Sequence, residues 1–321
     1  MACPSNSSSE VYHRDKHGDG DARGYVGRFA PSPSGPLHFG SVLAAIGSWL
    51  DARAAGGRWY VRLDDLDTLR NERGASTRIL DELSRLGLHW DGVIVQQNDD
   101  GAQYQRALAL LQDADASFAC GCTRQDLVAG RYPGTCRNGL AAGKAARSTR
   151  LRVADEVITV NDLVQGVYSQ NLQSFPGDFV LVRADGVVAY HLATVVDDAA
   201  AGVTHVVRGS DLLDSTPRQI ALQRALGLPT PHYAHLPIAT SSDGHKLSKR
   251  THAAATEGHA VALLWCHALR LLGYREAASM ATAKLKEIQQ WALAQWTLSR
   301  VAAASPPVPV DLSKGAPAER G

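Results

Sequence analysis

The chain has 321 residues, of which 45% are hydrophobic and 20% charged, so it is long enough to bury one large core or two smaller ones. Its 33 basic and 32 acidic residues leave a formal net charge of +1, which excludes the overall basic field of a non-specific nucleic-acid-binding protein. The sequence has neither an apolar run of the roughly 18 residues that a membrane span requires nor the apolar segment of a secretory signal. Five cysteines, an odd number without such a signal, favour a reduced, cytoplasmic protein without a membrane partner.

The first half of the chain has the pattern of an α/β protein. Residues 1–24 are polar and without periodicity, so we predict a flexible leader. From Tyr25 onward short apolar runs alternate with amphipathic ones. We predict strands at 25–29, 59–63 and 93–95, and helices at 40–55, 79–86 and 103–113. This alternation predicts a parallel sheet, which binds ligands at the carboxyl ends of its strands.

The alternation stops between about residues 117 and 176, where we predict an inserted subdomain. Beyond it we predict a β-hairpin formed by 179–182 and 187–190, helices at 191–200 and 215–226, and strands at 204–207 and 233–239. The α/β domain would thus span 25–255. A short helical C-terminal region at 256–303, with helices at 258–273 and 284–303, and a Pro-rich flexible tail at 304–321 would follow.

Two polar loops of this domain carry candidate chemistry. The first, RFAPSPSGPLHFGS at 28–41, places His38 and Gly40 at the N-terminus of a predicted helix, which is a natural seat for phosphate. The second, at 241–250, contains Lys246 and Lys249, two flexible point charges. Each loop alone is weak evidence, because such loops are usually just solvated. Together they can stabilise the charge that develops on the α-phosphate during adenylation.

At these residues the sequence resembles a known family, the class I aminoacyl-tRNA synthetases. The two loops resemble the HIGH and KMSKS signatures, with Ser41 at the second His position, a departure common in the glutamyl branch. RFAPSPSG, VRLDDLD (61–67), AYHLATVVDD (189–198) and VVRGSDLLDSTPRQ (206–219) resemble the glutamyl/glutaminyl branch, in that order.

The resemblance covers residues 25 to about 255 and implies a Rossmann-type catalytic domain that uses ATP with Mg²⁺ and forms an aminoacyl-adenylate. It implies that His38, Lys246 and Lys249 are catalytic, and that His38, Gly40 and Lys249 bind ATP.

Charge logic and the resemblance agree on glutamate as the amino acid. Its two carboxylates and one ammonium group require cations and at least one anion. Arg28 and Arg208 end predicted strands, where each can bind a carboxylate bidentately. Asp64 stands where the family usually has Glu; it can still bind the ammonium group but is one methylene shorter. The full set implied for glutamate is Arg28, Phe29, Ala30, Pro31, Ser32, Asp64, Tyr190 and Arg208.

Three cysteines of the insertion form a candidate metal site. Cys120, Cys122 and Cys136 offer one ligand fewer than the usual tetrahedral zinc set, so on spacing alone three reduced structural cysteines remain an alternative. The pattern C-x-C followed by Y-x-x-x-C resembles the zinc site of a short paralogue of glutamyl-tRNA synthetase. That resemblance implies one structural Zn²⁺ per chain, with Tyr132 as the fourth ligand.

Chain length separates the members of the branch. Only about 70 residues follow Lys249, too few for the additional anticodon-binding domain of a full glutamyl-tRNA synthetase. The chain therefore resembles the short paralogues, which activate glutamate without tRNA and transfer it to queuosine at the wobble position of tRNA(Asp). The implied partners are glutamate, ATP and queuosine-containing tRNA(Asp), and we expect a monomer.

The insertion contains a group of basic residues that can contact RNA phosphates: Arg124, Arg131, Arg137, Lys144, Arg147, Arg150 and Arg152. A basic face that is simply exposed to solvent explains this group equally well.

Three other functions are alternatives. The nearest is a truncated glutamyl-tRNA synthetase that charges the tRNA 3′ end. The second is a small-molecule adenylyltransferase of the same superfamily, similar to pantothenate synthetase, which the glutamyl-branch motifs oppose. The third is a non-catalytic RNA-binding descendant, which the presence of His38, Lys246 and Lys249 opposes.

Overall fold

The computed structural model describes residues 24–99, 101–140, 142–238, 256 and 258–301. The predicted tail, nearly all of the predicted leader, and the loop that carries Lys246 and Lys249 lie outside the described residues. None of the helices in these ranges is long and apolar enough to cross a membrane.

The alternation of strands and helices predicted from the sequence is present on both sides of the insertion. The first part contains β1 (Val26–Phe29), α1 (Phe39–Ala54), β2 (Arg58–Leu63), α2 (Ala75–Arg85), β3 (Val95–Gln96) and α3 (Ala102–Asp113). The insertion contains β4 (Ser117–Cys120), β5 (Ser148–Leu151), β6 (Val157–Asp162), β7 (Gly166–Asn171) and β8 (Val180–Val182). The last part contains α4 (Tyr190–Ala200), β9 (His205–Gly209), α5 (Thr216–Ala225), β10 (His232–Leu236), α6 (Val261–Leu271) and α7 (Leu285–Gln295).

The central strands are parallel, as predicted. β2 pairs with β1 and with β3, while β9 pairs with β10. These strands form two separate parallel sheets, β1-β2-β3 and β9-β10. The Thr204 amide donates to the Val26 carbonyl at 2.9 Å and brings β9 beside β1, so the spatial order is β3-β2-β1-β9-β10. Strands β2 and β3 lie on one side of β1, and β9 and β10 lie on the other, so the strand order reverses between β1 and β9. In open α/β sheets, ligands bind at the carboxyl ends of the strands at such a reversal.

Helix α1 packs against the sheet at close range. A Cβ atom on Gly47 would lie 2.4 Å from Leu236 Cδ1 of β10, so glycine is what allows this approach. The C-terminal helices share this core: Trp265 of α6 is fully buried and meets the Trp49 ring of α1 edge to face, with centroids 6.0 Å apart. This packing holds the N-terminal end of α1 at the edge where β1 ends.

The insertion is built from two antiparallel sheets, β4-β5-β8 and the hairpin β6–β7. The predicted hairpin from 179–182 and 187–190 was wrong in its extent, because only a single bridge joins Val182 to Val188. The reason is that Tyr190 already begins α4, which leaves the second segment too short for a full strand, while β8 also pairs with β5. Strand β8 therefore extends the sheet of the insertion past the predicted boundary at 176.

Candidate active site

A cavity of about 220 Å³ lies at the carboxyl ends of β1, β2 and β9. Ser32 is exposed and is not among its lining residues, and Lys246 and Lys249 lie outside the described residues. The roles assigned to these three and to the lining residues stay predictions. The cavity is lined by nine of the residues that the sequence implied for glutamate or ATP: Arg28, Phe29, Ala30, Pro31, His38, Gly40, Asp64, Tyr190 and Arg208.

Two lining arginines share one buried carboxylate. Arg28 Nε lies 3.2 Å from Asp198 Oδ2, and Arg62 Nη1 lies 2.5 Å from Asp198 Oδ1. Burial alone would raise the pKa of Asp198, but the two guanidinium groups outweigh burial and hold that pKa below its ordinary value. Asp198 is therefore ionised, and it orients both arginines from beneath the cavity.

Asp64, the predicted ammonium ligand, is held by a residue of the same strand end. Its Oδ1 accepts a hydrogen bond from Arg62 Nε at 2.7 Å, and its amide donates to the Pro31 carbonyl at 3.0 Å. Burial raises the pKa of Asp64, and Arg62 opposes that rise. Its second oxygen, Oδ2, makes no hydrogen bond within the described part of the chain. Asp64 thus keeps one oxygen for a cationic ligand.

Arg208 is 5% exposed, and it makes no ion pair with any residue that the structure describes. Its Nη2 donates to Gln219 Oε1 at 2.8 Å and to Thr216 Oγ1 at 2.9 Å, and its Nε donates to His235 Nε2 at 3.0 Å. Nη1 makes only a long contact, 3.5 Å to Tyr190 OH. A buried guanidinium that lacks a counter-charge favours the binding of an anion.

His38 occupies the position predicted for it, at the entry of α1. It is the N-cap residue, and its Nδ1 accepts a hydrogen bond from the Ser41 amide at 3.2 Å. The neutral imidazole therefore carries its proton on Nε2, which lies 3.0 Å from Ser41 Oγ. His38 and Gly40 border the cavity at a helix N-terminus, where partial positive charge favours phosphate.

Arg62 and Thr194 also belong to the site, although the sequence analysis did not name them. Each lines the cavity and has a buried polar atom, Arg62 Nη2 or Thr194 Oγ1, without a hydrogen-bond partner among the described residues. Both stand within stretches that carry the family resemblance, VRLDDLD and AYHLATVVDD. Their place in these two motifs was the sequence signal that could have identified both residues. That their polar atoms lack hydrogen-bond partners among the described residues is visible only in the structure.

The three cysteines of the insertion converge as expected of a metal site. All three are buried, and their sulfur atoms lie within 4.8 Å of one another. Cys122 Sγ lies 3.8 Å from Cys136 Sγ, which matches the spacing of about 3.8 Å that two tetrahedral Zn–S bonds of about 2.3 Å produce. Tyr132 OH lies 3.5 Å from Cys120 Sγ. Arg150 Nε donates a hydrogen bond to the same sulfur at 3.2 Å.

Comparison with known proteins agrees with this geometry. Residues 25–302 match the family model described as the catalytic domain of class I tRNA synthetases (E and Q). A glutamyl-Q tRNA(Asp) synthetase of Thiobacillus denitrificans is 49% identical over 284 residues, which cover 86% of this chain and 94% of the relative. Its counterpart in Aromatoleum aromaticum is 48% identical over 288 residues, which cover 87% and 91% of the two chains.

A solved structure is similar over most of the fold. The crystal structure of glutamate-tRNA synthetase from Elizabethkingia anophelis has a TM-score of 0.72 at 25% identity, covering 88% of this chain and 67% of that one. The family match spans the cavity, the insertion and the C-terminal helices alike. The chain belongs to the class I tRNA synthetases of the glutamate and glutamine branch.

Proposed function

We propose that the protein activates glutamate with ATP and transfers the glutamyl group to queuosine at the wobble position of tRNA(Asp). The observation that carries the choice of acceptor is similarity along nearly the whole length of glutamyl-Q tRNA(Asp) synthetases, at 49% identity over 94% of one relative. The cavity supports glutamate as the amino acid, because it is lined both by a buried Arg208 and by the carboxylate of Asp64. Among the described residues, Arg208 has no counter-charge and one oxygen of Asp64 has no hydrogen-bond partner.

In the first half-reaction a carboxylate oxygen of glutamate attacks the α-phosphorus of ATP and displaces pyrophosphate. Arg208 and Arg28 receive carboxylate charge, and Asp64 receives the ammonium group. His38 and Gly40 meet the phosphates at the start of α1, and we assign Lys246 and Lys249 to the charge of the leaving pyrophosphate. Mg²⁺, which enters with ATP, supplies further neutralisation of the phosphates.

In the second half-reaction a hydroxyl of the cyclopentene diol of queuosine attacks the activated carbonyl carbon. The ester bond forms as the bond to phosphate breaks, and AMP leaves. Neither step requires a covalent bond to the enzyme, so the contribution of the chain is orientation and electrostatic stabilisation.

For the RNA we propose a groove of about 990 Å³ between the insertion and the α/β domain. Most of the basic residues predicted to contact phosphates make intramolecular bonds instead: Arg131, Arg137, Lys144, Arg150 and Arg152. Arg124 and Arg147 are exposed and have no side-chain partner within the described ranges, and both line the groove together with Arg70. Exposed guanidinium groups without partners bind phosphate at low desolvation cost.

For the insertion we propose one structural Zn²⁺ held by Cys120, Cys122, Cys136 and Tyr132. The sulfur spacing and the hydroxyl of Tyr132 support this set, and Arg150 offsets part of its negative charge. A monomeric state and a cytoplasmic location remain predictions.

The decisive experiment locates the labelled ester. Glutamate carrying a radiolabel, ATP and queuosine-containing tRNA(Asp) are incubated with the protein, and nuclease mapping identifies the labelled fragment. We expect the anticodon fragment to carry the label. Label at the 3′ end would instead identify an enzyme that charges tRNA, and the absence of glutamate-dependent ATP–pyrophosphate exchange would refute glutamate activation.

A further inference from the structure

A buried histidine and a carboxylate from the insertion stand directly behind Arg208. His235 of β10 lies opposite Arg208 of β9 in the parallel register, and its side chain is completely buried. Its Nε2 lies 3.0 Å from Arg208 Nε, and its Nδ1 lies 2.5 Å from Asp162 Oδ2 at the end of β6. The insertion thus reaches the predicted glutamate site through one imidazole ring.

The hydrogen bonds determine which nitrogen of the His235 ring carries the proton. Asp162 Oδ1 accepts from the backbone amides of Val164, Gln165 and His235 at 2.8–3.0 Å. Burial alone would raise the pKa of Asp162, but these bonds and the one from His235 hold it below its usual value. Burial also lowers the pKa of His235. A neutral imidazole beside a carboxylate carries its proton on Nδ1, so Nε2 presents a lone pair to the Arg208 Nε–H.

We propose that Asp162 and His235 position the Arg208 guanidinium for the carboxylate of glutamate; this inference rests on the proposed function. His235 holds Nε, while Thr216 and Gln219 hold Nη2. Nη1 is the nitrogen left for a ligand. A directional hydrogen bond from Nη1 to a carboxylate requires a guanidinium plane in a fixed orientation, which three bonds on the far side provide.

A histidine serves here where a carboxylate in direct contact would not. Asp162 bonded directly to Arg208 would neutralise its charge and compete with the substrate. The hydrogen bond to the neutral ring of His235 fixes the orientation of the Arg208 guanidinium without adding a negative charge. In the described part of the chain, the positive charge of Arg208 therefore has no counter-ion. The substrate carboxylate then supplies the counter-charge, which makes its binding strong in this buried setting.

The test uses substitutions that preserve size. Asp162→Asn keeps an oxygen for the backbone amides but presents an N–H to His235, so the ring shifts its proton to Nε2 and turns a donor toward Arg208. His235→Asn retains a donor for Asp162 and removes the acceptor for Arg208. His235→Gln places an amide oxygen near Arg208 Nε. The control is Tyr233→Phe on the same strand, which removes the buried bond from Gln223 to the Tyr233 hydroxyl but leaves the ring in place beneath Arg208.

Glutamate-dependent ATP–pyrophosphate exchange and Tm are measured for the full-length protein and each variant. We expect Asp162→Asn and His235→Asn to raise the KM for glutamate at least tenfold and to change the KM for ATP less than twofold. His235→Gln should recover part of the loss. If either Asn variant fails to fold, the comparison of His235→Gln with Tyr233→Phe decides.

A KM for glutamate that moves no further than in Tyr233→Phe, at whatever Tm, would overturn the positioning role and leave a purely structural contact. Wild-type protein that lacks glutamate-dependent exchange would refute the proposed function itself, and the positioning role with it. The two failures are distinguishable because the first leaves wild-type exchange intact.

Discussion

Replacing Asp198 by Asn tests the reasoning about the charges under the cavity. The substitution preserves shape but removes the negative charge that Arg28 and Arg62 share at 3.2 and 2.5 Å. All three side chains are at most 8% exposed, so water compensates little for the loss. Breaking a buried ion pair on one side typically costs about 3–5 kcal/mol of unfolding free energy.

For a chain of this size we expect Tm to fall by roughly 6–10 °C, at about 2 °C per kcal/mol. The KM for glutamate should rise as well, because both arginines line the cavity. The matched control is Asp185→Asn, which breaks the ion pair with Arg183 between side chains that are 42% and 40% exposed. Such exposed pairs contribute about 0–1 kcal/mol, so Tm should change by no more than about 2 °C.

The dependence on pH gives a second measurement. The pKa of Asp198 is lowered in the folded protein, so its stabilisation is present above the unfolded value of about 3.9 and is lost as the pH falls through the folded value. The difference in Tm between wild type and Asp198→Asn should therefore be largest near neutral pH and shrink below about pH 4. Equal losses of Tm in Asp198→Asn and Asp185→Asn at neutral pH would refute the argument.

Three further predictions concern single side chains. Arg208→Lys keeps the charge but not the planar fork, so the KM for glutamate should rise about 10- to 100-fold in the exchange assay, and an unchanged KM would contradict a direct contact. Cys136→Ser should reduce bound zinc from one per chain to nearly none in metal analysis, whereas Cys266→Ala, a buried cysteine outside the cluster, should leave it unchanged. Lys249→Ala should slow adenylate formation by about two to three orders of magnitude in single-turnover assays, and an unchanged rate would reject its role at the phosphates.

Much of the site could be predicted because its information is local. The alternation of apolar runs predicted the parallel sheet and the edge at which ligands bind, and the ordered motifs resembled one branch of one family. Arg28, His38, Asp64 and Arg208 all line the cavity as expected. Each stands at the end of a strand or the start of a helix, and such positions can be read from a few neighbouring residues.

The tertiary structure decided which buried charges face each other. Arg62 meets Asp198 across 136 positions of sequence, and Asp162 meets His235 across 73. It also decided that β8 pairs with β5, in addition to its single bridge to the segment that follows it. These pairings depend on register and on the packing of distant elements, which no local pattern encodes. Sequence alone therefore determined which residues could carry the chemistry, and long-range packing determined which of them are oriented, neutralised or left free for a ligand.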